Sequence, residues 1–188
     1  MPITLTGTGV TYNSGQTTTQ TKPFIKYRYA STPGTNIVLS TGDTFMPGCE
    51  VNMGVPEKST NWYRVEYYTV QDDWPGQNNG GAGASIYRWT TSSGWNRVLG
   101  QGEHAQYENN ANDFYTTCTG LFYIPVHQSF PTEEHAFRLY GMRHPSVGIR
   151  WSSAIGADNR AGGWNNTLFE VVEVDSSVAE PFTNMTRY

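Results

Sequence analysis

The feature that most constrains this chain is a period of two. From residue 23 onward apolar and polar residues alternate in segment after segment, and the segments are separated by Gly, Pro, Ser or Asn turns. "PFIKYRYA" sets Phe24, Lys26 and Arg28 against Ile25, Tyr27 and Tyr29. "GCEVNMGV" sets Cys49, Val51, Met53 and Val55 against Glu50 and Asn52, and "HAFRLYGMR" sets Ala136, Arg138, Tyr140 and Met142 against Phe137 and Leu139. Successive side chains of an extended strand point to opposite faces, so these patterns describe half-buried strands. "NIVLS", "NWYRVEYYTV", "ASIYRWTT", "WNRVLG", "DFYTTCTGLFYIPV", "VGIRWSS" and "NNTLFEVVEV" extend the series. "TPGT" and "PEKST" read as turns, and "SSG" as a hairpin loop. No stretch of ten or more residues keeps the helical period between caps. Many strands joined by such turns predict an all-β sandwich or barrel.

With 188 residues the chain suits one domain with a core of its own. Charged residues make up only 15% and aromatics 14%, the reverse of a disordered composition. Net charge is −4 and the arginines are scattered singly, so a nucleic-acid footprint is missing. Residues 1–22 are Thr/Gly-rich, with Thr4, Thr6 and Thr8 alternating with Ile3, Leu5 and Gly7. One strand fits there, with too few large apolar residues to bury itself, so this segment is expected to be an assembly arm lying on something else. The domain is expected over 23–176, with a tail at 177–188. No secretory signal opens the chain, and no run reaches the roughly 18 apolar residues of a membrane span, so assembly in a cytoplasm is expected. Cys49 and Cys118 lack metal or redox spacing and read as buried thiols.

Glu170 and Glu173 in "TLFEVVEVD" would share one face of a helix and suggest an acid pair. The β-branched Val171, Val172 and Val174 make the stretch a strand instead. There Leu168, Glu170, Val172 and Val174 lie on one face, with Phe169, Val171 and Glu173 on the other, so whichever carboxylate faces the core needs a partner. His104, His127, His135 and His144 show no metal-ligand spacing and are expected at surfaces or interfaces, with no metal and no cofactor. "QDDWPGQNNGGAG" reads as a glycine-rich loop in which Asp72, Asp73 and Trp74 form a candidate glycan-binding group, since sugar rings stack on indole faces while carboxylates bind hydroxyls. Trp95 and Trp164, in Gly-rich turns, join them as candidate contact residues. No nucleophile or phosphate-loop motif appears, so catalytic residues are expected to be none.

The order of a Thr/Gly-rich start, "STGDTFMPGCEVNMGVPEKSTNWYRVEYYTV", the hairpin "SIYRWTTSSGWNRV" and a closing "TLFEVVEV" resembles the jelly-roll domains of tailed-bacteriophage virion proteins, notably small surface and fibre proteins of marine and cyanobacterial phages. The resemblance spans roughly residues 35–175. It implies an antiparallel jelly-roll sandwich of the tumour-necrosis-factor-like kind, a homotrimer, and a non-enzymatic role on the virion. The short chain, with no repeats and no long coiled-coil or β-helical shaft, favours capsid decoration, with the arm contacting other virion proteins. The alternatives are a tail fibre that attaches to a host surface glycan, and a carbohydrate-binding or glycan-degrading module.

Overall fold

The structure, a computed structural model, describes residues 4–6, 9–11, 17–18, 24–32, 37–73, 80–100, 106–108, 115–143, 148–151 and 167–176. Its elements are β1 (Thr4–Thr6), β2 (Gly9–Thr11), β3 (Thr17–Thr18), β4 (Phe24–Thr32), β5 (Ile37–Val38), β6 (Thr44–Gly54) and β7 (Trp62–Asp73). They continue with β8 (Gly80–Thr90), β9 (Gly94–Gly100), β10 (Gln106–Glu108), β11 (Tyr115–Pro125), β12 (His135–Arg143), β13 (Ile149–Trp151) and β14 (Thr167–Val174).

Two antiparallel sheets form a sandwich. In one, β4, β14, β7 and β11 lie side by side, and the short pair β13–β5 continues the line of β14 along β7. In the other, β6, β12 and β8 lie side by side, with β9 and β10 sharing the far edge of β8. Taking only the long strands β4, β6, β7, β8, β9, β11, β12 and β14 in chain order, the first sheet reads first–eighth–third–sixth and the second reads second–seventh–fourth–fifth. That order is the jelly roll, in which each sheet is filled by strands arriving alternately from the other. The expected fold class is therefore what the chain adopts. β1, β2 and β3 pair among themselves in a separate three-stranded sheet, where a single strand was expected.

The core lies where the alternating rows of the two sheets meet. Tyr63, Val65 and Tyr67 of β7 and Phe169 and Val171 of β14 face Ile86 of β8 and Phe137 and Leu139 of β12, all at most 1% exposed. Each fully buried side chain of this size stabilises by about 1.5–3 kcal/mol over its exposed state. Tyr63 meets Phe137 edge-on at 4.8 Å, and Tyr67 stacks on Trp151 at 5.6 Å. Trp151 fits because β12 offers Gly141 beneath it: a Cβ there would stand 2.7 Å from Leu39 and 2.8 Å from the indole.

Pro47 within β6 conflicts with a continuous ladder, since proline cannot donate. The conflict is resolved by an irregularity: pairing jumps from Arg138 opposite Glu50 to Tyr140 opposite Phe45, and Gly48 takes φ 84° in the gap. Both Met46 and Cys49 thereby reach the core. Cys49 and Cys118 are buried free thiols, as expected.

Three expectations are corrected. Val55 does not continue the inner row of β6; Gly54 at φ 68° turns the chain, and Val55 is left 46% exposed. Residues 71–83 are not one loop: Gln71, Asp72 and Asp73 end β7, Gly80–Gly83 begin β8, and Gln71 is buried, accepting a bond from Trp151 Nε1 at 3.2 Å. His135 is not a surface or interface residue but fully buried, with Nδ1 2.9 Å from the Tyr63 hydroxyl and Nε2 3.2 Å from the Phe130 carbonyl. The carbonyl only accepts, so Nε2 carries the proton and the tyrosine donates to Nδ1.

The closing strand behaves as its valines require. Glu170 lies on the outer face, half-buried against the Arg64 guanidinium. Glu173 lies on the inner face, fully buried, and its Oε1 accepts from the Glu57 amide and from Asn61 Nδ2, both at 2.7 Å. The carboxylate thus ties β14 to the turn between β6 and β7, and Lys58 on the same turn adds a 3.2 Å bond to Asp175. No acid pair exists here.

Candidate binding surface

Strand alternation places three rows of side chains on the outward face of the second sheet. One crosses Asn52, Ala136, Trp89 and Trp95; the next crosses Glu50, Arg138, Tyr87 and Arg97; the third crosses Phe45, Tyr140 and Ser85. Five of these residues are aromatic. Phe45, Glu50, Asn52, Ser85, Tyr87, Ala136, Arg138 and Tyr140 stand at outward positions because their strand neighbours (Met46, Val51, Ile86, Phe137, Leu139) occupy the core row.

Arg138 is the centre of this face. Its Nε donates to Glu50 at 2.7 Å, and its guanidinium lies 4.0 Å from the Trp95 ring centroid and 5.1 Å from that of Phe45. A cation held over indole is worth about 0.5–2 kcal/mol, depending on exposure. Tyr140 packs at 4.4 Å from Tyr87 and 5.4 Å from Phe45. Asp43, in the turn before β6, closes the other end. It accepts from Ser85 Oγ at 2.7 Å and from the Tyr87 hydroxyl at 2.6 Å, and Arg97 stands 3.9 Å away. The bond to Asp43 holds the Tyr87 hydroxyl on its phenol, pushing its pKa up to about 12. Two carboxylates and two guanidiniums balance, so the face is rich in rings yet carries no net charge.

The β8–β9 hairpin is held rigidly beside this face. Gly94 at φ 64° ends the turn, and Glu133 accepts from the Ser92 amide at 2.9 Å and from its hydroxyl. Trp95 follows directly, in β9 rather than in a flexible turn, half-buried, with one ring face occupied by Arg138.

Of the five candidate residues, the structure describes Trp95 with its side chain and Asp72 and Asp73 by their backbone. Asp72 and Asp73 are strand residues of β7, opposite Arg150 and Ile149 of β13 in the first sheet, and their side chains lie outside what is described. Trp74 and Trp164 lie outside the described residues, as do His104 and His144. Trp95 alone can be placed, on the second sheet. Sequence reasoning missed Phe45, Tyr87, Trp89, Arg138 and Tyr140 as partners of Trp95; the available signal was the aromatic and charged outer row of each strand. Among the described residues no group of three or more His, Cys, Asp or Glu converges as a metal site, and no helix is long and apolar enough to cross a membrane.

No protein-family model matches the chain, and no curated protein matches it. Among solved structures, the chain is similar to that of the infectious bursal disease virus Gx strain, at 12% identity and a TM-score of 0.38, over 92% of this chain and 46% of that one. A D431N mutant VP2 protein of the same virus, from T=1 particles, matches at 11% identity and a TM-score of 0.33, over 94% and 45%. Dimeric latent PorU from Porphyromonas gingivalis matches at 6% identity and a TM-score of 0.34, over 92% and 14%. The chain thus spans less than half the length of each of these proteins.

Proposed function

We propose that this chain is a non-enzymatic structural subunit of a virus particle, a bacteriophage jelly roll that assembles as a homotrimer and decorates the particle surface. The class is supported by analogy of architecture, since jelly rolls are a recurrent building block of viral shells. The observation that carries the assembly reading is the outward face of β6, β12, β8 and β9. It combines Phe45, Tyr87, Trp89, Trp95 and Tyr140 with Arg138, residue types enriched at the centres of protein interfaces. Its charges are already paired, so a neighbour can cover it without stranding an ion.

A threefold ring needs a heterologous contact, in which this face meets a different patch on the next copy. The outer face of the first sheet supplies one, with Leu168 47% and Leu121 50% exposed. Sedimentation equilibrium tests this: a trimer at micromolar concentration is expected, shifting towards monomer for Arg138→Glu and for Leu168→Asp. A wild-type monomer overturns it. Gel quantification of copies per particle separates the roles, with hundreds expected for decoration. A few dozen or fewer would favour a tail fibre attaching to a host glycan.

A further inference from the structure

The β4 and β6 edges of the two sheets face each other, which leaves β9 and β11 as neighbouring edges on the opposite side. Between them lies a cleft of about 170 Å³ lined by Arg88, Val98, Leu99, Tyr123, Ile124 and Pro125. One water needs only about 15 Å³, so the space admits a small organic molecule.

Arg88 enters this cleft from the core row of β8, opposite Phe137 of β12. Its Nη1 donates to the Pro125 carbonyl at 2.8 Å, bridging the two sheets. Every other polar feature around it leaves its charge standing. Among the described residues no carboxylate lies within 4.0 Å of it, whereas Arg97 and Arg138 each have one and Arg64 has two. The titratable groups that feel its charge are Tyr63, His127 and His135. Burial drives the tyrosine's pKa up and both histidines' down, so all three are neutral at neutral pH. Glu133, the acid whose charge acts on both histidines, is engaged by Ser92. A half-buried guanidinium with only a carbonyl for company is costly, and its fork of donors matches a carboxylate in two-point geometry.

We propose that the cleft between β9 and β11 binds a small monocarboxylate, its carboxylate on Arg88 and its apolar or ring body against Val98, Leu99, Tyr123 and Ile124. The chemistry is independent of the assembly role proposed above. A free acid and a uronic residue at a glycan end offer the same group, and the test distinguishes them.

Titration of the full chain with benzoate and with its neutral isostere benzamide, followed by calorimetry or by amide NMR shifts at Val98 and Leu99, reads the charge requirement on the unmodified protein. Saturable benzoate binding with benzamide at least tenfold weaker is expected, a difference of about 1.4 kcal/mol. Arg88→Met is expected to lose the same factor and Arg88→Lys to lose less, each checked for a native unfolding transition. Galacturonate against methyl galactoside repeats the comparison on a sugar; tighter galacturonate than benzoate assigns the glycan source, and the reverse assigns the free acid. Equal binding of benzoate and benzamide, equal or tighter binding of inorganic phosphate, or no saturation up to about 10 mM overturns the proposal.

Discussion

Acidification from pH 7 to pH 5 should remove a measurable part of this protein's stability through one side chain, His135. The neutral imidazole is fully satisfied, donating from Nε2 to Phe130 and accepting at Nδ1 from Tyr63. A second proton would set an N–H against the tyrosine hydroxyl and place a charge in the core near Arg88. Burial above all, with Arg88 and His127 adding to it, pushes the His135 pKa down to about 4, while the unfolded chain keeps the ordinary value of 6.5. The unfolded state therefore takes up the proton first. The stability is intact above pH 6.5 and drains as pH falls through the window down to about 4. Linkage over that window gives a loss of about 2 kcal/mol between pH 7 and pH 5 as an upper bound, and partial screening reduces it to about 1 kcal/mol. His127, also shifted down by burial, acts in the same direction, so the comparison must isolate His135. Glu133, whose pKa is lowered from 4.5 by its bonds to Ser92, acts mainly below the pH interval used and is common to the wild type and the variant. Urea unfolding of the wild type and of His135→Gln, whose amide reproduces both bonds, provides the isolation. The wild type should lose about 1 kcal/mol more than the variant between the two pH values. Parallel pH slopes, or an NMR titration of His135 centred near 6.5, would refute the reasoning.

Gly141→Ala should destabilise by about 1–3 kcal/mol, because the added methyl meets Leu39 and the Trp151 ring inside contact distance; a lowered thermal midpoint checks it. Glu173→Ala should cost about 3 kcal/mol, since the buried Asn61 side-chain amide and the part-buried Glu57 amide lose their acceptor, and hydrogen exchange at the Glu57 amide should accelerate. Arg138→Ala should expose the Trp95 ring to acrylamide quenching and cost about 1 kcal/mol; unchanged quenching would remove the stacked cation from the description.

The alternation that announced an all-β chain was legible because it is local. β6, β11, β12 and β14 were each visible as rows, and the parting of Glu170 from Glu173 followed from β-branched neighbours alone. What stayed hidden depended on partners distant in the chain. Gly80–Gly83 looks like loop by composition, yet it is strand because β10 and β12 flank it. Asp72 and Asp73 looked like ligands in a loop, yet β11 and β13 draw their backbone into a sheet. His135 carried no signal of burial, because its two partners, Tyr63 and Phe130, come from different segments. The outer face was half visible: each strand displayed its polar and aromatic row, but the meeting of Arg138 with Glu50 and Trp95 depends on register, which one strand cannot state.

The jelly-roll order has a kinetic consequence. β14 lies between β4 and β7, with Val174 opposite both Phe24 and Trp62. Until β14 arrives, β4 has no neighbour in its sheet among the described strands and β7 presents a bare edge to anything extended. The slow, non-local closure expected of such a topology falls on one segment of eight residues. A nascent chain stalled before "TLFEVVEV" would hold two open strand edges at once, and the vulnerable interval in this protein's life is the wait for β14.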